Sequence, residues 1–213
     1  HQCSQSFCVI RNNFMHEPPF SQACENNKQV ILEILERHLK DGDQVLELAG
    51  GTGQHCVHFA TNLPNLHWQS SDIPSNVDNL NLRLADAKLA NLPAAIAIDV
   101  NNSSWGSDRP SAIFSANSLH IMSADSVENF FKGIGEALQA DGTLIVYGPF
   151  KYAGGFTSES NEGFDHWLKD RDPTSGLRDF EWVNDLATKA SLTLIEDNAM
   201  PANNQLLVWK KSK

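Results

Sequence analysis

A chain of 213 residues with 41% hydrophobic content suits one α/β domain with a continuous core and leaves little room for two. Its formal net charge of -10 repels phosphate backbones and anionic lipid, so neither nucleic acid nor membrane is expected as a partner; a small molecule is, with a protein substrate left open. No apolar run approaches the roughly 20 residues that span a bilayer, and no charged segment followed by an apolar one opens the chain, so a cytoplasmic protein is expected. Cys3, Cys8, Cys24 and Cys56 fall in the first quarter without C-x-x-C pairing, which reads as free thiols on a loose terminus rather than a disulfide framework. His1, Cys3, Cys8 and His16 match no zinc spacing, and no metal is expected. Residues 1–18 read as an N-terminal extension to a single domain over 19–213.

In chain order, Val30, Ile31, Ile34, Leu35 and Leu39 recur at three-to-four spacing, predicting an amphipathic helix from Cys24 to Leu39 that Asp41-Gly42-Asp43 ends. Val45 to Ala49 is a short strand entering a glycine-rich turn, and Gln54 to Leu63 is helical up to the breaker Pro64. His67 to Ser71 is a second strand, closing on Asp72. Pro74 then opens a helix with Val77, Leu80 and Leu84 on one face. Strands follow at Ala94 to Ile98 and Ala112 to Ser115, then a helix from Ala124 to Gln139, then the strand Thr143 to Tyr147. This alternation predicts a mostly parallel sheet with helices on both faces.

Gly148 to Gly176 is a long Gly- and Ser-rich segment with one short helical stretch at Phe164 to Arg171, the kind of connection that serves as a lid. Trp167, Phe150 and Phe156 are its candidate apolar wall. A helix at Phe180 to Ala190 precedes the strands Leu192 to Glu196 and Leu206 to Trp209, which the Pro201-Ala202-Asn203-Asn204 turn makes an antiparallel hairpin on the sheet edge.

Glycines after a first parallel strand let backbone approach a ligand, and the helix that follows points N–H groups into the gap. That fits any nucleotide. A dinucleotide fingerprint wants a third glycine where this chain has Cys56, which disfavours an NAD-linked oxidoreductase. Asp72, followed by Ile73, stands where a carboxylate accepts both ribose hydroxyls. Asp99-Val100 ends the third strand, and Asn117 to His120, with Leu119 between them, follow the fourth. Acidic residues capping helices are the plain alternative for Glu47, Asp72 and Asp99.

Val45-Leu46-Glu47-Leu48-Ala49-Gly50-Gly51-Thr52-Gly53 resembles the E/D-x-G-x-G-x-G motif of class I S-adenosylmethionine-dependent methyltransferases, with Ala49 in place of the first glycine. The resemblance implies a Rossmann-like fold: a seven-stranded, mostly parallel sheet with an antiparallel C-terminal hairpin strand. It also implies that the loop Ala49, Gly50, Gly51 and Gly53 wraps the methionine portion of S-adenosyl-L-methionine and that Glu47 sits near its amino group. Asp99 and Val100 then hold the adenine. A carboxylate under this loop suits a ligand that carries a sulfonium and an ammonium rather than a diphosphate.

Further strings span nearly the whole chain and resemble the methyltransferase-like 26 family, also catalogued as domain of unknown function 938. They include residues 19–28, Ser71-Asp72, Phe114 to Met122, Tyr147 to Phe150, Phe156 to Asn161, Arg171-Asp172-Pro173 and Met200 to Asn204. A methyltransferase with an unidentified acceptor is thereby implied, yielding S-adenosyl-L-homocysteine. A cofactor-binding protein without catalysis is the alternative. His120 and Tyr147 are the candidate catalytic groups, because an acceptor hydroxyl or amine can need a base. Asn27, within Glu25-Asn26-Asn27-Lys28, and His55, on the turn after the glycine loop, are candidate cofactor contacts, whereas His58 and His166 read as surface residues.

Overall fold

The computed structural model describes residues 17–106 and 108–213. Most of the N-terminal extension, with His1, Cys3, Cys8 and His16, lies outside the described residues. Cys24 and Cys56 belong to folded helices, not to a loose terminus, and both are free thiols. No group of side chains suited to a metal occurs among the described residues, and no described helix is long and apolar enough to cross a membrane.

The elements run α1 (Gln22–His38), β1 (Gln44–Glu47), α2 (Gln54–Asn62), β2 (His67–Asp72), α3 (Pro74–Ala87), β3 (Ile96–Ala97), β4 (Ala112–Ala116), α4 (Ala124–Ala137) and β5 (Thr143–Gly148). They continue as β6 (Phe150–Lys151), α5 (Glu159–Arg171), β7 (Arg178–Asp179), α6 (Phe180–Lys189), β8 (Leu192–Met200) and β9 (Asn204–Lys211). Seven strands form one sheet in the order β3-β2-β1-β4-β5-β9-β8, parallel throughout except for β9, which runs antiparallel to both neighbours. The expected α/β sheet with its C-terminal hairpin is therefore present, with β8 as the edge strand.

Alternation along the strands splits the core into two layers, one on each face of the sheet. Val45, Ile145, Tyr147, Leu206 and Val208 pack with Ile31, Leu35, Phe59, Trp68 and Leu80 under α1, α2 and α3. Their neighbours Leu46, Leu144, Val146, Leu207 and Trp209 pack with Phe130, Phe131, Ile134 and Val183 under α4 and α6. A sheet covered on both faces leaves the strand ends as the place for a ligand, and the loops after β1, β2, β3 and β4 gather at the carboxyl edge.

Three boundaries differ from the expectation, each for a local reason. β3 holds only two residues because the Asn81 side chain takes the backbone of Ala95, accepting from its N–H at 2.7 Å and donating to its carbonyl at 3.3 Å, so the ladder starts later. α5 begins five residues earlier than Phe164: the Ser158 hydroxyl caps it by accepting from the Asn161 N–H at 3.1 Å, and Glu159 and Glu162 suit the positive end of its dipole. The hairpin strands are longer than their apolar centres, because polar residues extend the ladder to the Pro201–Asn203 turn.

Candidate functional site

Between β1 and α2 the backbone turns left-handed three times, at Ala49 (φ 57°), Gly51 (φ 62°) and Gly53 (φ 81°). Ala49 bears this at a cost of roughly 1 kcal/mol that a glycine would avoid. Gly50 is needed for a different reason. A Cβ there would come within 2.3 Å of Ser70 Oγ and 3.0 Å of Glu47 Oε1, so the loop lies flush on β1 and β2.

Under that loop Glu47 is 2% exposed, its Oε1 accepting from Ser70 Oγ at 2.5 Å. Burial pushes its carboxyl up to about 7, against the pull of the Ser70 hydroxyl, and the nearby Asp72 adds to the rise. Asp72 fixes the loop from the side. Its Oδ2 accepts from the Gly51 N–H and from Asn76 Nδ2, both at 2.8 Å, and its Oδ1 accepts from the Ile73 N–H at 2.8 Å. Asn76 also donates to the Gly51 carbonyl at 3.2 Å, clamping loop and carboxylate together.

The first helix roofs this arrangement. Gln54 exchanges hydrogen bonds with the Ser21 backbone, accepting from its N–H at 2.7 Å and donating to its carbonyl at 3.1 Å, and donates to Glu25 at 2.7 Å. Arg83 ties α3 to the carbonyls of Thr52 at 2.9 Å and Pro19 at 2.6 Å. Lys28 pairs with Glu25. Asn27, buried on α1, accepts from His55 Nε2 at 2.6 Å when that nitrogen carries the proton. His55 stacks on Phe59 with centroids 5.4 Å apart, and burial holds its pKa down to about 4, so it is neutral.

The result is a cavity of about 950 Å³ along the carboxyl edge, joined to a smaller one of about 180 Å³ through shared walls at Ala49, Asp72, Ile73 and Met122. Asn27, Glu47, Gly50, Gly51, His55 and Asn117 line the larger part, and Asp99 and Val100 the smaller. Gly53 and Leu119 do not line either. Gly53 is where α2 packs on α3, with Leu84 and Leu80 within 3.1 Å of where a Cβ would stand, and Leu119 is buried in the core beneath α4.

The far wall comes from the 148–176 segment. Its two ends are zipped by parallel pairing of β6 with β7. Arg178 on β7 donates to the carbonyls of Leu119, Met122 and Thr174, and the Gly176 N–H donates to the His120 carbonyl at 2.9 Å. α5 then presents Ser160, Asn161, Phe164 and Trp167 to the cavity, and the hairpin turn adds Ala202 and Asn204. Of the three aromatic residues expected as wall, only Trp167 takes that place. Phe150 is core, and Phe156 lies under Lys151 Nζ at 5.6 Å.

His120 lines the cavity, edge-on to Phe164 with centroids 5.3 Å apart. Burial, with the Arg178 cation adding to it, holds its pKa down to about 4. Tyr147 is not on the wall. It is 2% exposed and packed under α1; burial raises its pKa, against the Asn27 and Asn204 side chains beside its hydroxyl. The phenol stands behind the lining, beside those two amides. His166 is exposed; His58 is only partly so, facing Gln29 Oε1 at 3.2 Å.

Sequence reasoning assigned no role to Ser70, Gln54, Asn76, Arg83, Phe164 or Arg178. Asn161 and Asn204 stood within the turn-rich strings but carried no role there. Polar side chains that bond loop backbone have no periodicity to betray them.

An O-methyltransferase family protein from Burkholderia thailandensis superposes with a TM-score of 0.77 at 15% identity, over 90% of this chain and 58% of that one. The S-adenosylmethionine-dependent methyltransferase SibL gives 0.74 at 18% identity, over 90% and 56%. Human N-acetylserotonin methyltransferase, solved with S-adenosylmethionine, gives 0.71 at 14% identity, over 90% and 53%. The chain thus spans a little over half the length of these proteins and shares their Rossmann-like methyltransferase fold. The family described as "Protein of unknown function (DUF938)" matches residues 18–211, and the chain belongs to that family.

Proposed function

We propose that the protein is an S-adenosyl-L-methionine-dependent methyltransferase acting on a small molecule. The observation that carries this reading is the joined cavity at the carboxyl edge. It has a narrow pocket ending in Asp99 and Val100, a carboxylate at Asp72, a flush glycine loop over buried Glu47, and a second, aromatic compartment beyond. At about 950 Å³ the main cavity lies at the top of the roughly 300–1,000 Å³ typical of single-ligand sites, enough for a donor and an acceptor together. Solved methyltransferases of the same fold, among them one holding S-adenosylmethionine, support the same donor.

The residues fit such a donor. The 180 Å³ pocket between Ile98, Met122 and Leu48 is the size and polarity of a flat base, with Asp99 at its rim. Asp72 retains acceptor capacity for ribose hydroxyls. Glu47, its carboxyl pushed up to about 7 by burial, ionises readily beside an ammonium. The bound donor supplies an activated methyl group on sulfur; the protein aligns the acceptor with it and excludes water. His120, neutral and aimed into the acceptor compartment, accepts a hydrogen bond from the acceptor and orients it.

Isothermal titration with S-adenosyl-L-homocysteine and with NAD tests the reading. Micromolar affinity for the first and none for the second is expected, and the reverse would replace methyl transfer with hydride transfer. Binding without methylated product from a broad metabolite extract would instead favour a cofactor-binding protein without catalysis.

A further inference from the structure

His120 stands on a turn, not on a helix or strand. Within the turn the Ser118 carbonyl accepts from the N–H groups of Ile121 at 3.1 Å and Met122 at 3.2 Å, which leaves the carbonyls of Leu119, His120 and Met122 to find partners outside it. One short stretch supplies all three. The Gly176 N–H donates to the His120 carbonyl at 2.9 Å, Arg178 Nε donates to the Leu119 carbonyl at 3.3 Å, and a terminal nitrogen of Arg178 donates to that of Met122. That stretch is itself fixed. Arg178 pairs with the core residue Phe150 across β6 and β7, the Leu177 N–H donates to the buried Asp165 carboxylate at 2.8 Å, and Asp165 pairs with Lys169 at 2.8 Å. Gly176 (φ 145°) lies so close to α5 that a Cβ there would stand 2.9 Å from Asp165 Oδ1. The His120 turn therefore hangs from a firm platform, and Arg178 is the side chain that joins the two.

Arg178 carries more than its hydrogen bonds require. It is half-buried and forms no ion pair among the described residues, although an uncharged donor would meet carbonyls without the desolvation a guanidinium bears. The His120 ring beside it is buried and has no hydrogen bond among the described residues. Few charges reach that ring. α5 brings Phe164 edge-on at 5.3 Å, with the Asp165 and Lys169 of the same helix closed on each other. The end of β5 brings Gly148, where a Cβ would stand 3.8 Å from His120 Nδ1, and β7 brings Arg178. Burial holds the imidazole pKa down to about 4, and the Arg178 cation adds to that depression.

We propose that Arg178 is a positioning residue, fixing the His120 ring on the wall of the acceptor compartment by gripping the Leu119 and Met122 carbonyls on either side of it. The inference rests on the methyltransferase reading above, in which His120 orients the acceptor. The charge serves the same end, because a cation behind an imidazole disfavours its protonation and keeps a ring nitrogen available as an acceptor. Misplacing an orienting group by about 1 Å costs on the order of 100-fold in rate, which gives the grip its purpose.

Three variants separate the grip from the charge: Arg178→Lys keeps the charge, Arg178→Gln keeps a donor without it, and Arg178→Met keeps neither. In each, NMR follows the histidine ring protons and nitrogens from pH 4 to 8, with His120 assigned by the signals lost in His120→Gln and circular dichroism as the check on folding. In Arg178→Met the His120 ring protons should shift as the ring leaves its edge-on place against Phe164, while those of His38, bonded to Glu196 at the amino edge of the sheet, stay. The His120 midpoint should rise by about half a pH unit or more in Arg178→Met and Arg178→Gln and stay at the wild-type value in Arg178→Lys. Unchanged His120 ring signals in Arg178→Met, or one midpoint shared by Arg178→Met and Arg178→Lys, would overturn the proposal. Should Arg178→Met fail to fold, Arg178→Gln against Arg178→Lys decides it on the same readouts. S-adenosyl-L-homocysteine should bind all three variants within about twofold of wild type, and a loss of about tenfold or more would put Arg178 on the donor side, against the proposal. Failure of S-adenosyl-L-homocysteine to bind the wild type would overturn the donor reading instead and leave the ring measurements standing.

Discussion

The two halves of the cavity are built by different means. On the donor side the wall is mostly backbone: a loop with three left-handed residues, held by the Asp72 carboxylate, the Asn76 amide and a buried Glu47. The Gly50, Gly51 and Gly53 N–H groups there already have protein partners within hydrogen-bond distance. On the acceptor side the wall is side chain: aromatic rings from α5, a histidine with no hydrogen bond to its ring among the described residues, and amides from a hairpin turn. A rigid backbone cradle suits one invariant ligand, and side chains on a helix can be changed without disturbing the sheet. The contrast predicts that substitutions on one side act on donor affinity and those on the other act on turnover or acceptor choice.

The largest expected effect lies on the acceptor side. His120→Ala should lower turnover by about 100-fold, the low end for loss of a proton-accepting group, with S-adenosyl-L-homocysteine affinity unchanged. Because burial keeps His120 neutral down to about pH 4, its contribution to rate should be flat above pH 5 and fall only as the solution approaches pH 4. A rate that instead titrates near pH 6.5 would mean His120 is solvated in the working enzyme. On the donor side, Asp72→Ala removes a charged acceptor of three hydrogen bonds. At about 1.5–3 kcal/mol for a single bond lost to a ligand hydroxyl, donor affinity should fall roughly 10- to 100-fold. An unchanged dissociation constant by calorimetry would put the ribose elsewhere. Gly50→Ala drives a methyl group into Ser70 Oγ and should destabilise by roughly 1–3 kcal/mol in denaturant titration, with donor binding weakened alongside.

The same division governs how much was legible in the sequence. β1 with its glycine turn, Asp72 and Asp99 announced themselves because a strand end followed by glycine or aspartate is a local pattern, and the sheet followed from apolar alternation. What pins the loop did not: Asn76 sits on the first turn of α3 and Arg83 on a later one, indistinguishable in sequence from solvated positions. α5 was half-missed because its apolar face is narrow and its start is set by Ser158, a cap visible only once the helix is known. Tyr147 ended a strand as a catalyst would, but strand alternation turns it to the α1 face, behind the wall. Chemistry carried by backbone left a sequence signature, and chemistry carried by packing did not.

The smallest effect separates Glu47 from the histidines by sign. His55 and His120 have folded pKa values near 4, below the ordinary 6.5, so they take up protons only on unfolding between those limits. Their contribution to stability is present above pH 6.5 and is lost as pH falls toward 4. Glu47 runs the other way. Its folded pKa is about 7 against an ordinary 4.5, so the folded state holds a proton that the unfolded chain releases, and stability drains as pH rises from 4.5 through 7. Glu47→Gln keeps a neutral partner for Ser70 and removes that drain. The variant should match wild type near pH 5, gain on it progressively up to pH 7 and hold a constant advantage above, read from denaturation midpoints at each pH. Its donor affinity should fall at pH 8, where wild type has the carboxylate to meet an ammonium. A stability gap that does not vary with pH would mean Glu47 is ionised in the folded protein, with Ser70 and the loop amides outweighing its burial.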